Sequence, residues 1–187
     1  RSKELGMDAV ALTDHGVLYG AIEFYKACLG EKIKPLVGIE GYVANKSHMK
    51  KDDIKDKENN HLILIAKDFE GYQNLMKIST IAFLEGFYYK PRFDKDTLTK
   101  YSKGLICLSA CMQGEIGKLL GEEKFDRAKE TAIWYREIFG DDYYLEIQRH
   151  EYEQYIKNAA ETKIKDKLKS LQEHENRWVG GTIRISR

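Results

Sequence analysis

Only three cysteines occur in the 187 residues, an odd number without the spacing of a disulfide framework. That usage excludes a disulfide-stapled secreted scaffold and suits a reducing cytoplasm. No run of about 18 apolar residues is present, so nothing in the sequence reads as a membrane span. The opening stretch RSKELGMDAVALTDHG has too short an apolar part for a signal peptide, and that part has a strand pattern. Charge of one sign is lacking as well: 31 Lys and Arg against 30 Asp and Glu give a formal net charge of +1. A near-neutral chain has no overall field to draw it onto nucleic acid or membrane. Basic residues for such work must be grouped locally or come from a larger protein. Internal repeats, low-complexity segments and the metal-ligand spacings CxxC and HExxH are all missing.

What is present is an ordinary globular composition, 42% hydrophobic and 33% charged, and a length that buries a core without a staple. Residues 8–13 (DAVALT) read as a strand. Helical spacing follows over 17–29, with Leu18, Ala21, Ile22, Tyr25, Cys28 and Leu29 on it and Gly30 closing it. KPLVGIEGYVA (34–44) and HLILIAK (61–67) are apolar runs of strand length. Between them the charged NKSHMKKDDIKDKENN (45–60) is expected as a mobile surface loop. A helix is expected from Phe69 to Leu84, and a short one capped by Asp94 through Tyr101. A strand at 104–110, helices near 114–121 and 123–139, and a fifth strand at 142–148 complete this part. Strands alternating with helices, and apolar on both faces, predict an α/β fold with a parallel sheet covered by helices. From 152 to about 176, Ile156, Ala160, Ile164, Leu168 and Leu171 line one edge of a Lys- and Glu-rich stretch, which predicts a long amphipathic helix. RWVGGTIRISR then reads as a strand.

Several polar residues sit where charge is costly. In a parallel α/β barrel, ligands gather where the carboxyl ends of the strands meet solvent. Asp14 and His15 close the first strand, Cys111 directly follows the fourth and His150 the fifth; His61 opens its strand and Glu40 lies within one. These residue types ligate Zn2+ or Mn2+, with imidazole and thiolate favouring zinc. Each also has a plainer reading. His15 fits a turn before Gly16, and Glu40 fits a carboxylate paired with Lys or Arg to offset its burial. His61 fits a solvated strand end, and Cys111 an inert core thiol like Cys28 and Cys107. His48 and His174, in polar surroundings, read as solvated. Lys90 and Arg92 in YYKPR are candidates for phosphate contact, since Arg clamps phosphate bidentately. The alternative there is a solvated loop with Tyr88 and Tyr89 packed on the barrel.

ELGMDAVALTDHGVLYGAIEFYKAC, IKPLVGIEGYVA, HLILIAK, NLMKISTIAFLEGFYYKPR and GLICLSACMQGEI, in this order, resemble the PHP (polymerase and histidinol phosphatase) domain of the bacterial DNA polymerase III α subunit. The resemblance runs from residue 3 to about 154. It implies a distorted (β/α)7 barrel at the N-terminus of a replicative polymerase, incomplete in this chain, with up to three metal ions at its strand ends. By motif the metal ligands are His15, Glu40, His61 and Cys111, with Asp14 as a supporting carboxylate. The implied activity is a metal-dependent 3′–5′ exonuclease; the alternative family role is a structural platform for a separate proofreading subunit. DNA synthesis itself, with its Mg2+, would belong to a palm domain outside this chain. The implied partners are DNA, the proofreading exonuclease subunit and the sliding clamp, in the bacterial cytoplasm. A free phosphatase acting on a small phosphate ester is the other function class, and ACMQGEI and EGFYYKPR disfavour it.

Two departures bear on competence. The family's HxH pair should precede residue 1, and its Asp-x-His pair should lie some thirty residues beyond His150, where the sequence has none. Residues 1–154 are therefore expected to form a partial PHP domain. Residues 155–187 are expected as a charged helix plus one strand, weakly similar to the start of an OB domain. A fragment is the expectation, binding one ion or none, with little exonuclease activity and with exposed sheet edges.

Overall fold

A computed structural model describes residues 1–159 and 162–185. Its sheet has six strands: β1 Ala9–His15, β2 Lys34–Ala44, β3 Asn59–Ala66, β4 Arg92–Phe93, β5 Leu105–Leu108 and β6 Tyr143–Tyr144. The order is β1-β2-β3-β5-β6, with β4 on β2, and the sheet does not close. β1 and β4 run parallel to β2, and β6 parallel to β5, but β3 is antiparallel to both of its neighbours. The all-parallel expectation is corrected at this strand. The segment joining β2 to β3 carries only a 3-10 turn, Ile54–Lys57, and no crossover helix, so the chain returns antiparallel. The reversal brings the first residues of β3 to the end of the sheet where β1 and β5 finish.

The helices are α1 Ala21–Gly30, α2 Phe69–Leu84, α3 Lys95–Tyr101, α4 Glu115–Gly121, α5 Phe125–Phe139, α6 Tyr152–Asn158 and α7 Thr162–Ile185. Asp68 and Asp94 cap α2 and α3 by accepting from the N–H of Gly71 and Thr97. Alternation along the strands sends Ile39, Val43, Leu62 and Leu64 to one face, where they meet Leu75, Ile78, Ala82, Phe93 and Leu98. Gly41 lies on that face because a Cβ there would meet the Phe93 ring at 2.4 Å. The result is a mixed α/β fold consistent with a partial PHP barrel.

Three further expectations change. The strand read at 142–148 pairs only at Tyr143–Tyr144. Beyond it Ser109 takes over from the ladder, its Oγ accepting from Glu146 N at 2.8 Å. The 45–60 segment is tied down. Arg92 donates to the carbonyls of His48, Lys50 and Asp56, and Asp94 accepts both the backbone N–H and Nδ1 of His48. His48 is accordingly largely covered, its side chain 12% exposed, rather than solvated.

The C-terminal strand is a helix. α7 runs on through RWVGGTIRI and buries Glu175, Trp178, Val179, Gly181 and Thr182. Their spacing is helical, and they face Ile116, Leu119, Leu120 and Ala128 of α4 and α5. The likeness to an OB-domain start suggested a strand, but Gly181 lets α7 approach the Leu120 side chain, 2.7 Å from where a Cβ would stand. The expected stripe is not the packed one: Ile164 and Leu171 are exposed, and Ala160 lies outside the described residues. His174, expected in solvent, packs its ring against Gly121, and that burial lowers its pKa.

Candidate metal centre

Strand register assembles the site. Glu40 pairs with His15 on one side and Ile63 on the other, while His61 pairs with Tyr42. Two-residue periodicity then puts His15, Glu40, Tyr42 and His61 on one face, opposite the apolar core. Cys111 arrives from beyond β5, where Ala110 turns the chain with φ of 60°. The 111–114 turn is fastened to β3 by His61 N–H donating to Gln113 O at 3.0 Å.

His61 Nδ1 lies 2.7 Å from Glu40 Oε1 and 3.7 Å from Cys111 Sγ. One donor atom from each of the three residues falls within 4.8 Å of the others, as ligands of one ion would. His15 Nδ1 lies 3.6 Å from the second Glu40 oxygen, and its side chain is 64% exposed. Burial lowers the His61 pKa, with Glu40 pulling the other way. Burial raises the Cys111 thiol pKa, and the carboxylates of Glu40 and Glu146 add to the rise. Gln113 N–H, 3.4 Å from Sγ, opposes it. A carboxylate, an imidazole and a sulfur at these separations suit three of the four positions around a tetrahedral ion, and His15 borders them through Glu40 without joining the group. The chain therefore carries a candidate His/Glu/Cys metal site.

The other sequence candidates go elsewhere. Asp14 pairs with Ile39 on the opposite face and accepts Gly20 N at 3.1 Å, so it holds the turn after β1. Arg92, 1% exposed, spends its guanidinium on four backbone carbonyls, including Gly86 at 3.1 Å. That arrangement corrects the phosphate clamp expected of it. Lys90 does border the site, its Nζ 5.3 Å from the Tyr42 ring centroid. His150 instead pairs with Glu175 of α7, Nδ1 to Oε2 at 2.5 Å.

Sequence reasoning missed Tyr42 and Lys118. The Tyr42 ring meets His61 edge-on at 5.4 Å. Lys118 Nζ donates to Asn59 O at 2.5 Å and Asn60 Oδ1 at 3.0 Å, locking α4 to the start of β3. The signal for Lys118 was a lone cation among Ile116, Leu119 and Leu120, directly after the Cys111 turn.

The PHP domain family matches residues 1–150. The DNA polymerase III subunit alpha of Borreliella burgdorferi is 52% identical over 151 residues, 80% of this chain and 13% of that protein. Its counterpart in Chlamydia trachomatis is 48% identical over 151 residues, covering 80% and 12%. The Helicobacter pylori subunit is 46% identical over 182 residues, covering 88% and 15%. The chain thus spans only 12% to 15% of the length of these relatives. With the match covering the whole sheet and every donor of the metal site, the chain belongs to the PHP domain family.

Proposed function

We propose that this chain is the PHP part of a bacterial DNA polymerase III α subunit, and that Glu40, His61 and Cys111, with His15, hold one Zn2+. The observation that carries the reading is the convergence of three donor atoms within 4.8 Å on one sheet face. Thiolate and imidazole favour zinc over Mn2+. Such an ion lowers the pKa of a bound water and offsets phosphate charge, the chemistry of phosphodiester hydrolysis. Around it, Glu40 fixes the rings of His15 and His61 from neighbouring strands, and Tyr42 supports His61 from the side.

A 3′–5′ exonuclease acting on DNA is the reaction class this fits. Among the described residues one such group of donors occurs, short of the two-ion clamp that steadies both attacking and leaving oxygens. That favours weak hydrolysis and a second role as a platform for a separate proofreading subunit. DNA synthesis with Mg2+, and contact with the sliding clamp, would fall to the rest of the parent. No described helix is long and apolar enough to cross a membrane, which fits a cytoplasmic replication protein.

The test is metal content by elemental mass spectrometry after purification without chelator, on the protein and on His61→Ala and Cys111→Ala. About one zinc per chain, lost in both variants, is expected. No metal in the parent chain, or metal retained in both variants, would sink the reading. Release of mononucleotides from a 3′-labelled oligonucleotide then separates enzyme from platform, and phosphate release from small esters alone would revive the phosphatase class.

A further inference from the structure

The face that carries His61 continues into a cleft of about 510 Å3. Lys57, Lys90 and Lys118 line it, with Glu58 as the acid among them and Tyr89 on its wall. Basic residues are scarce in excess over the whole chain, so three lysines grouped beside a metal site form a local field that net charge does not reveal.

Tyr89 is held in an uncommon state. Its φ is 60°, in the left-handed region where a bulky side chain is strained and Gly or Asn is not. The residue is 69% exposed, and its ring stands edge-on to Tyr88 at 4.8 Å with Lys57 Nζ 5.9 Å from its centroid. Burial therefore gives this tyrosine little return for the strain, and strain kept without packing points to a surface task.

The setting is built from beneath by Arg92. Its guanidinium donates to Asp56 O, next to Lys57, and its central carbon lies 5.3 Å from the Tyr88 ring centroid that backs Tyr89. One buried side chain thus fixes both a lysine and the aromatic platform.

We infer that this cleft holds the terminal nucleotide of single-stranded DNA, with the base stacked on Tyr89 and the phosphate set between Lys57 and Lys90, Lys118 adding its charge from the floor of the cleft while it holds Asn59 and Asn60. The inference rests on the DNA reading above and adds to it the residues that seat the strand end. A cationic groove with an exposed aromatic is how single strands are held without sequence preference: every base offers a π-face, and lysines displace phosphate counterions. The cleft is large enough for one nucleotide, and its position beside His61 brings that nucleotide's phosphate next to the metal site.

The test is fluorescence anisotropy of labelled decathymidylate at low salt in EDTA, against a strand of equal length and charge built from abasic units. Tyr89→Ala is expected to weaken decathymidylate binding on the order of ten-fold, and Tyr89→Phe to retain it. The abasic strand is expected to bind more weakly and equally to both proteins. Lys57→Ala combined with Lys90→Ala should reduce the slope of log K against log salt by about 0.7, the one phosphate contact held there on a single strand. Tyr89→Gly should raise the melting temperature while losing binding. Undiminished binding by Tyr89→Ala, binding of the abasic strand to the unaltered protein as tight as that of decathymidylate, an unchanged salt slope, or a lower melting temperature in Tyr89→Gly would each overturn the inference. Because binding is read in chelator, a protein that holds no zinc can still pass this test, and one that fails it can still bind zinc.

Discussion

Glu40 Oε1 lies 2.7 Å from His61 Nδ1, and the other oxygen of the same carboxylate lies 3.6 Å from His15 Nδ1. One half-buried side chain in the middle of β2 therefore meets imidazoles from both neighbouring strands. A carboxylate placed there without a cation would be costly, and its neighbours are chiefly metal-ligand types.

Glu40→Gln keeps the shape and removes the charge, so it tests whether the carboxylate is a ligand. Zinc affinity by isothermal titration should fall by at least ten-fold, since even groups behind the ligands cost ten- to hundred-fold. The zinc-induced rise in melting temperature should shrink with it. Full affinity in this variant would locate the ion away from Glu40.

Asp94 joins the start of α3 to the segment after β2 through a single carboxylate. Burial alone would raise its pKa, but hydrogen bonds from the Thr97 and His48 N–H groups and from their side chains outweigh it and bring the value to about 2. A carboxyl depressed from about 3.8 in the unfolded chain stabilises the fold fully above that pH and ceases to do so as pH falls through about 2. With solvent screening the contribution is about 1–2 kcal/mol. Urea melts of the protein and of Asp94→Ala should differ by at least that amount at pH 7, with the gap narrowing between about pH 4 and 2. A gap that stays constant over that window would mean the carboxylate charge is not what stabilises.

Arg92 is legible in the sequence as a functional cation and in the structure as a fastener. Its donors satisfy the carbonyls of Gly86, His48, Lys50 and Asp56 inside the protein. Arg92→Lys offers one point of charge in place of a planar fork and leaves several carbonyls unpaired. A loss of about 2–3 kcal/mol is expected from chemical denaturation, with faster amide exchange across residues 45–57. A loss near zero would show that water replaces the fork freely.

Much of the fold could be read because burial repeats with a period. The spacing in α2 and the Asp94 cap of α3 gave those elements their bounds, and the apolar runs gave β2 and β3. The residues of the candidate metal site could be named through motif: His15 closes β1, His61 lies near the start of β3, Cys111 follows β5, and Glu40 is the one carboxylate inside β2. Strand direction was not legible, because an apolar run reads the same parallel or antiparallel; only the missing crossover helix before β3 decides it. Arg92 failed for a related reason. Whether a guanidinium faces phosphate or a ring of carbonyls depends on where residues 48, 50 and 56 fold back, and a charged loop gives no periodic signal of that. The tail failed because a short likeness to a strand stood in for packing: Gly181 serves close helix contact with Leu120, which only the position of α4 reveals.

That last misreading has a direct test in α7, since the two glycines differ. A Cβ at Gly180 would meet nothing within 4 Å, whereas one at Gly181 would press on Leu120 at 2.7 Å. In a helix interior, Gly180→Ala removes unfolded-state freedom and adds helix propensity, so it should stabilise by about 1 kcal/mol. Gly181→Val should destabilise, because a branched side chain cannot fit between α7 and Leu120 and would force apart the packing around Trp178. If residues 177–185 formed a strand, Ala at 180 would bring no helix-propensity gain and the two positions would not divide this way. Thermal melts of the two variants, followed by circular dichroism at 222 nm, therefore decide the conformation of the tail. A rise for Gly180→Ala with a fall for Gly181→Val supports the helix, and a fall for both would restore the strand.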